Sequence, residues 1–311
     1  MIYLIKLTTK SECVYNNKNI KNIMLMTNKT TLVWIVIIVI ILYSIICGLN
    51  NIMIFHPSKT IELDPEKITE TYEKYNIKLT TDHYFVKTHD NIEISCLELM
   101  VPNKDILFIF SHGNAGNLSN FLFSNTILNL LKYGFVVLYD YRGYGLSNGK
   151  PSQDGCYYDI KTVWKNIRTK YPTNKIILYG FSLGCYPTIR LFNALHKYDA
   201  LHKYNSKILP HHMILQAGFV NIKYMVNKLS QYISFLVTYN FDNLAIMKEL
   251  KKQKKTDNIT ILHSEKDEIV SYKNAKILKK AGKCQLLDIL GTHNNPIYPT
   301  SFFAFMDELC G

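Results

Sequence analysis

A mostly parallel, doubly wound α/β sheet follows from three features of this 311-residue sequence. Short, nearly continuous apolar runs recur at even spacing from about residue 75 onward, and such runs suit strands covered on both faces. Helix-length segments lie between them, the order expected of right-handed crossovers. Glycine-rich turns follow several of the runs, where an open α/β sheet binds ligands. With 48% hydrophobic and 19% charged residues the chain is that of a packed globular protein.

The first 29 residues read as a tail. Residues 30–49, "TTLVWIVIIVIILYSIICGL", carry no charge, and about 20 helical residues at 1.5 Å each span the roughly 30 Å hydrocarbon core. A membrane anchor over 30–50 is therefore expected, with a linker over 51–74 and the α/β domain over 75–311. No A-x-A-like site follows the apolar run, and about thirty residues precede it, so a cleaved signal peptide fits less well. Lys18, Lys21 and Lys29 before the span, against Lys59 and Lys67 after it, favour a cytoplasmic N-terminus and a lumenal catalytic domain. The sequons at Asn117 and Asn258 belong to that reading, with Asn258 the better glycan acceptor. Seven cysteines without patterned spacing pull toward a reducing compartment and argue against a zinc site or a disulfide framework.

Strands are expected at 91–100 ("NIEISCLELM"), 105–110, 135–140, 175–180, 212–217 and 259–264, and again at "CQLLDIL". Helices are expected at 118–132, 154–170, 185–198 and 271–281. The stretch 218–258 is longer than one crossover needs and reads as a small lid over the carboxyl edge. Ala194–Tyr198 recurs as Ala200–Tyr204, a duplication that lengthens a surface connection. The net charge of +12 comes with no nucleic-acid module, and "KELKKQKK" at 248–255 reads as a solvated helix face.

The chemistry lies at the strand ends. Gly180-Phe181-Ser182-Leu183-Gly184 has the G-x-S-x-G form of a nucleophile elbow, a strained strand-to-helix turn that exposes a serine hydroxyl. A serine needs a base, and the base an orienting acid. "HSEKDEIV" offers Glu265, Asp267 and Glu268; Asp267 is the choice because Ile269-Val270 then turns back into the fold, and Glu268 is the fallback. His293, in the loop "LGTHNNP", is the base, with His112 as competitor in the turn "SHGNAGN". That turn supplies oxyanion donors, and the amides of Asn114 and Leu183 are the expected pair. "DYRGYGLSNGKPS" at 140–152 matches neither G-x-G-x-x-G nor the Walker pattern, since Asn148 and Tyr144 stand where glycines are needed. It reads as a structural loop in which Asp140 and Arg142 pair or cap backbone.

Together "FHPSK", "HGNAGN", "DYRGYGLSNGKPS", "GFSLG", "DEIV" and "GTHNN" resemble the α/β-hydrolase superfamily over roughly residues 50 to 309. They are most similar to its membrane-anchored serine hydrolases. The resemblance implies an α/β-hydrolase fold with Ser182 as nucleophile, Asp267 as acid and His293 as base. It also implies hydrolysis of an ester or thioester, commonly on acyl lipids or acylated proteins, with no metal or organic cofactor. The chain departs from the family at Cys185-Tyr186, where a small residue is usual after the elbow, and at Asn295, where an acidic residue is common. A silent binding protein on the same scaffold, or a peptidase or acyltransferase with the same residues, are the rival readings.

Overall fold

The apolar runs become the middle of one sheet in the computed structural model, which describes residues 31–46, 48, 50–61, 63–202, 209–229 and 237–311. The expected tail, and Tyr204 of the duplication, lie outside those residues. The chain divides into two units, residues 1–50 and 51–311. Helix α1, Thr31–Ile54, has a mean hydropathy of 3.0 in its most apolar window, long and apolar enough to cross a membrane. Over residues 31–45 its side chains are exposed all round, Trp34 and Leu32 among them.

The second unit starts earlier than the sequence suggested. Strand β1 (His56–Pro57) is followed by helix α2 (Pro65–Lys74), so the linker expected over 51–74 is instead part of the fold. Asp64 caps α2 by accepting from the Glu66 and Lys67 amides, Pro65 sits at its first position, and Ile68 and Tyr72 are buried. Only these two side chains of the amphipathic helix reach the core, too sparse a stripe to stand out from a charged stretch.

Strands β2 (Thr80–Lys87) and β3 (Glu93–Met100) form an antiparallel edge. Then come β4 (Ile106–Ser111), the short β5 (Ala115–Gly116), helix α3 (Asn125–Leu130), β6 (Phe135–Tyr139), α4 (Gln153–Lys170), β7 (Lys175–Phe181) and α5 (Cys185–His202). The chain continues through β8 (His212–Gln216), α6 (Ile222–Leu229), α7 (Asn243–Lys252), β9 (Ile259–Ser264), α8 (Lys273–Gly282), β10 (Gln285–Gly291), β11 (Pro296–Ile297) and α9 (Thr300–Cys310). The nine-stranded sheet has the order β11-β10-β9-β8-β7-β4-β6-β3-β2, parallel from β10 to β6 and antiparallel at both edges. Strands β4, β8 and β9 are buried at every residue, as runs covered on both faces should be.

Three expectations change in detail. The single helix over 118–132 is a 3-10 turn (Leu118–Phe121) followed by α3, because Ser124 caps a fresh start by accepting from the Ile127 amide. The elbow helix expected over 185–198 runs on as α5 to His202, so the second copy of the duplication begins in helix rather than in a surface connection. Within the expected lid, α7 serves as the crossover: Met247 and Leu250 are buried, and Glu249 reaches Asn193 and Lys197 of α5. Residues 230–236 lie outside the described chain. The basic face of α7 is solvated, with Lys251 and Lys252 in its last turn, where the helix dipole favours cations.

Candidate active site

Strand β7 ends in a turn that only this glycine pattern tolerates. A side chain at Gly180 would meet the Cα of Cys185 at 2.8 Å, and one at Gly184 would meet the carbonyl oxygen of Ser111 at 2.1 Å. Between them Ser182 holds φ 53°, a left-handed conformation rare outside glycine. Leu183 lies in the first turn of the 3-10 helix Ser182–Gly184, where N–H groups have no partner inside the helix. Cys185 fits the place of the usual small residue by burying its thiol against the carbonyls of Gly180 and Gln216 at 3.2 and 3.4 Å.

The structure brings Ser182, His293 and Asp267 together from three separate loops. His293 Nε2 lies 3.1 Å from Ser182 Oγ, and Nδ1 lies 2.8 Å from Asp267 Oδ2. All three are buried. The other oxygen of Asp267 accepts from the amides of Ile269 and Val270 at 3.0 and 2.7 Å. Glu268, the fallback acid, instead accepts from the backbone N–H of His293 at 3.0 Å, so the neighbouring carboxylates divide ring and backbone between them. Burial alone would push the Asp267 carboxyl up. Hydrogen bonds from His263 and His293, with the Val270 amide, outweigh it and hold the group well below the usual carboxylate range.

His263 escaped the sequence reading. Its Nε2 lies 2.7 Å from the Val270 carbonyl and 3.4 Å from Asp267 Oδ2, bracing the acid from beneath. The only available signal was its place four residues before Asp267 at the end of β9. A second brace ties down the chain after His293: the Tyr298 hydroxyl lies 2.8 Å from Gln216 Oε1 and 2.7 Å from Thr126 Oγ1.

His112, the competing base, takes no part in this chain of contacts. It is buried among Phe121, Tyr141 and Tyr144, with Nδ1 2.7 Å from the Gly113 carbonyl and Nε2 3.4 Å from Asp140. Asp140 caps the Leu118 amide at 2.7 Å. It does not pair with Arg142, which turns to Asp90 and Asp159 at 2.7 and 2.9 Å because the extended side chain points toward α4. Gly113 packs against the elbow: an added Cβ would lie 3.7 Å from that of Ser182. Asn114 follows it directly in the chain. Among the described residues no group of His, Cys, Asp or Glu is arranged to hold a metal ion.

Residues 102–287 match the family model described as serine aminopeptidase, S33. The chain belongs to this α/β-hydrolase family. It is 30% identical over 84% of its length to an uncharacterised protein of Acanthamoeba polyphaga mimivirus, 92% of which is covered. It is 29% identical over 65% of its length to human alpha/beta hydrolase domain-containing protein 17B, of which it covers 64%. A Pyrococcus furiosus esterase of known structure superposes with a TM-score of 0.58 at 16% identity, over 82% of this chain and 96% of the esterase, a likeness of fold.

Proposed function

We propose that the protein is a membrane-anchored serine hydrolase that cleaves carboxylic ester or thioester bonds through an acyl-enzyme. The observation that carries this reading is the bridging position of His293, 3.1 Å from the Ser182 hydroxyl and 2.8 Å from Asp267. His293 takes the proton of Ser182 as its oxygen attacks the acyl carbonyl, and Asp267 holds the imidazole in the tautomer that accepts at Nε2. The amides of Leu183 and Asn114 stabilise the oxyanion. His293 then protonates the leaving group, and water releases the acyl chain by the same steps in reverse. Full-length protein should be labelled by a fluorophosphonate probe, and Ser182→Ala should abolish both labelling and ester hydrolysis. Unchanged labelling of that variant would sink the assignment.

The α1 helix serves as the anchor, and the catalytic domain faces the lumen. Asn258 is exposed in a turn before β9, open to a glycan. Asn117 is fully buried and donates to the carbonyls of Ser58 and Thr60, which leaves no room for one. Expression in a glycosylating host should give a glycosidase-sensitive mass that Asn258→Gln removes. Protease digestion of the domain on sealed membranes without detergent would reverse the orientation.

A further inference from the structure

Three of the segments singled out in the sequence, "FHPSK", "HGNAGN" and "DYRGYGLSN", have no part in the proton transfers, yet they are laced together beside Ser182. His56 and Pro57 of β1 pair with Ala115 and Gly116 of β5, directly after the donor loop. The Asn114 carbonyl accepts from the His56 amide at 2.9 Å and from the Tyr144 hydroxyl at 2.7 Å. The Asn114 side chain donates to the Ile54 carbonyl at 3.1 Å. Outward from this point, Ser58 N donates to Gly116 O and Gly145 N to Ser58 O, both at 2.9 Å, and Lys59 Nζ reaches Ser147 O at 2.7 Å. Phe55 is buried against Tyr239 and Phe241, which stakes the segment to the domain.

We propose that Tyr144 and the segment Ile54–His56, at and just after the end of α1, are positioning groups that aim the Asn114 amide at the oxyanion. The Asn114 carbonyl is thus held twice and its side-chain NH2 once. These three bonds, one of them from the fully buried Tyr144, hold the Asn114–Ala115 peptide and the Asn114 side chain, and so pin the Cα to which the N–H of the preceding peptide is attached. Preorganised donors stabilise charge without reorganising at the moment of reaction, so a loosened donor loses catalysis rather than substrate binding. Ile54, the last residue of α1, lies within the second unit, the same unit as the donor loop. This inference rests on the serine-hydrolase reading.

The test uses full-length protein in detergent, with an activated acyl ester and a trifluoromethyl ketone that forms an anionic adduct on serine. Loss of a whole oxyanion donor costs about 10²–10³ in kcat, so Tyr144→Phe and His56→Pro, which each remove one restraint, should lower kcat by roughly 10- to 100-fold. KM should stay within about twofold, and inhibitor affinity should fall in parallel with kcat, as binding of a transition-state mimic must. His56→Ala keeps the N–H and should lower kcat less than His56→Pro does. Should His56→Pro fail to fold, Tyr144→Phe, which loses a single oxygen atom, carries the test alone. Wild-type kcat and inhibitor affinity in Tyr144→Phe would overturn the clamp, as would a fall in kcat with inhibitor affinity unchanged. Either result leaves the serine assignment standing if Ser182→Ala is inactive; a labelled Ser182→Ala removes both.

Discussion

At the carboxyl edge of the sheet, His293 has a partner on each ring nitrogen, Asp267 at 2.8 Å and Ser182 at 3.1 Å. At the amino edge His196 is buried almost as deeply, and neither of its ring nitrogens has one. The amino edge also holds a cavity of about 660 Å³, lined by His196, His211, Arg168, Lys175, Lys254 and Lys255 among others. This volume lies at one end of the molecule and the chemistry at the other. A reacting site needs groups that converge with matched donors and acceptors, and volume alone supplies none of these. Ser182, His293 and Asp267 are committed to each other, whereas the His196 ring is merely enclosed.

The sharpest way to break this contrast is within the pair Asp267-Glu268. Asp267→Asn should lower kcat by about 10³–10⁴ while the protein stays folded, since an amide at this position favours the wrong imidazole tautomer. Glu268→Gln keeps an oxygen to accept from the His293 amide. It should cost less than about tenfold, the scale of one weakened neutral hydrogen bond. Steady-state kinetics with circular dichroism decide the matter, and a larger loss in Glu268→Gln would reverse the roles assigned to the two carboxylates.

A smaller effect is expected at the other edge, and in stability rather than rate. Burial, with Lys255 nearby, lowers the His196 pKa to about 4, against about 6.5 in an unfolded chain. The folded state therefore holds the neutral ring while the unfolded state takes up a proton. Stability is full above about pH 6.5 and is lost progressively as the pH falls toward 4. His212, also lowered to about 4 by burial, acts with the same sign. In His196→Gln the drop in Tm between pH 7 and pH 5 should shrink by a few degrees, with His212 still contributing the rest. An unaltered slope in a thermal scan would show that this ring exchanges protons freely with water when folded.

The sheet was legible because a buried parallel strand must be apolar at nearly every position, a pattern that each run carries locally. The elbow was legible for an equally local reason: Ser182 at φ 53°, flanked by positions where a Cβ would collide, needs glycine on both sides. Local patterning could not show α2, whose two buried side chains are lost among charges, nor β2, an edge strand with only Val86 buried. It also placed Asp267 and Glu268 side by side as candidates without the geometry that sends one to the ring and the other to the backbone.

By itself, then, the sequence determined where the buried strands lie along the chain, the glycines that permit the elbow, and the chain order of serine, acid and histidine. Tertiary structure alone decided which carboxylate meets His293, that His263 braces that acid, and that residues 54–60 lace the donor loop to the loop after β6. The physical reason is the range of the forces involved. Burial and backbone strain are imposed residue by residue and leave a mark at each position. A hydrogen bond between Ile54 and Asn114, or Tyr144 and Asn114, depends on angstrom-scale distances between segments 30 to 60 residues apart in the chain. Ordinary residue types make such bonds, so nothing in their spacing announces them.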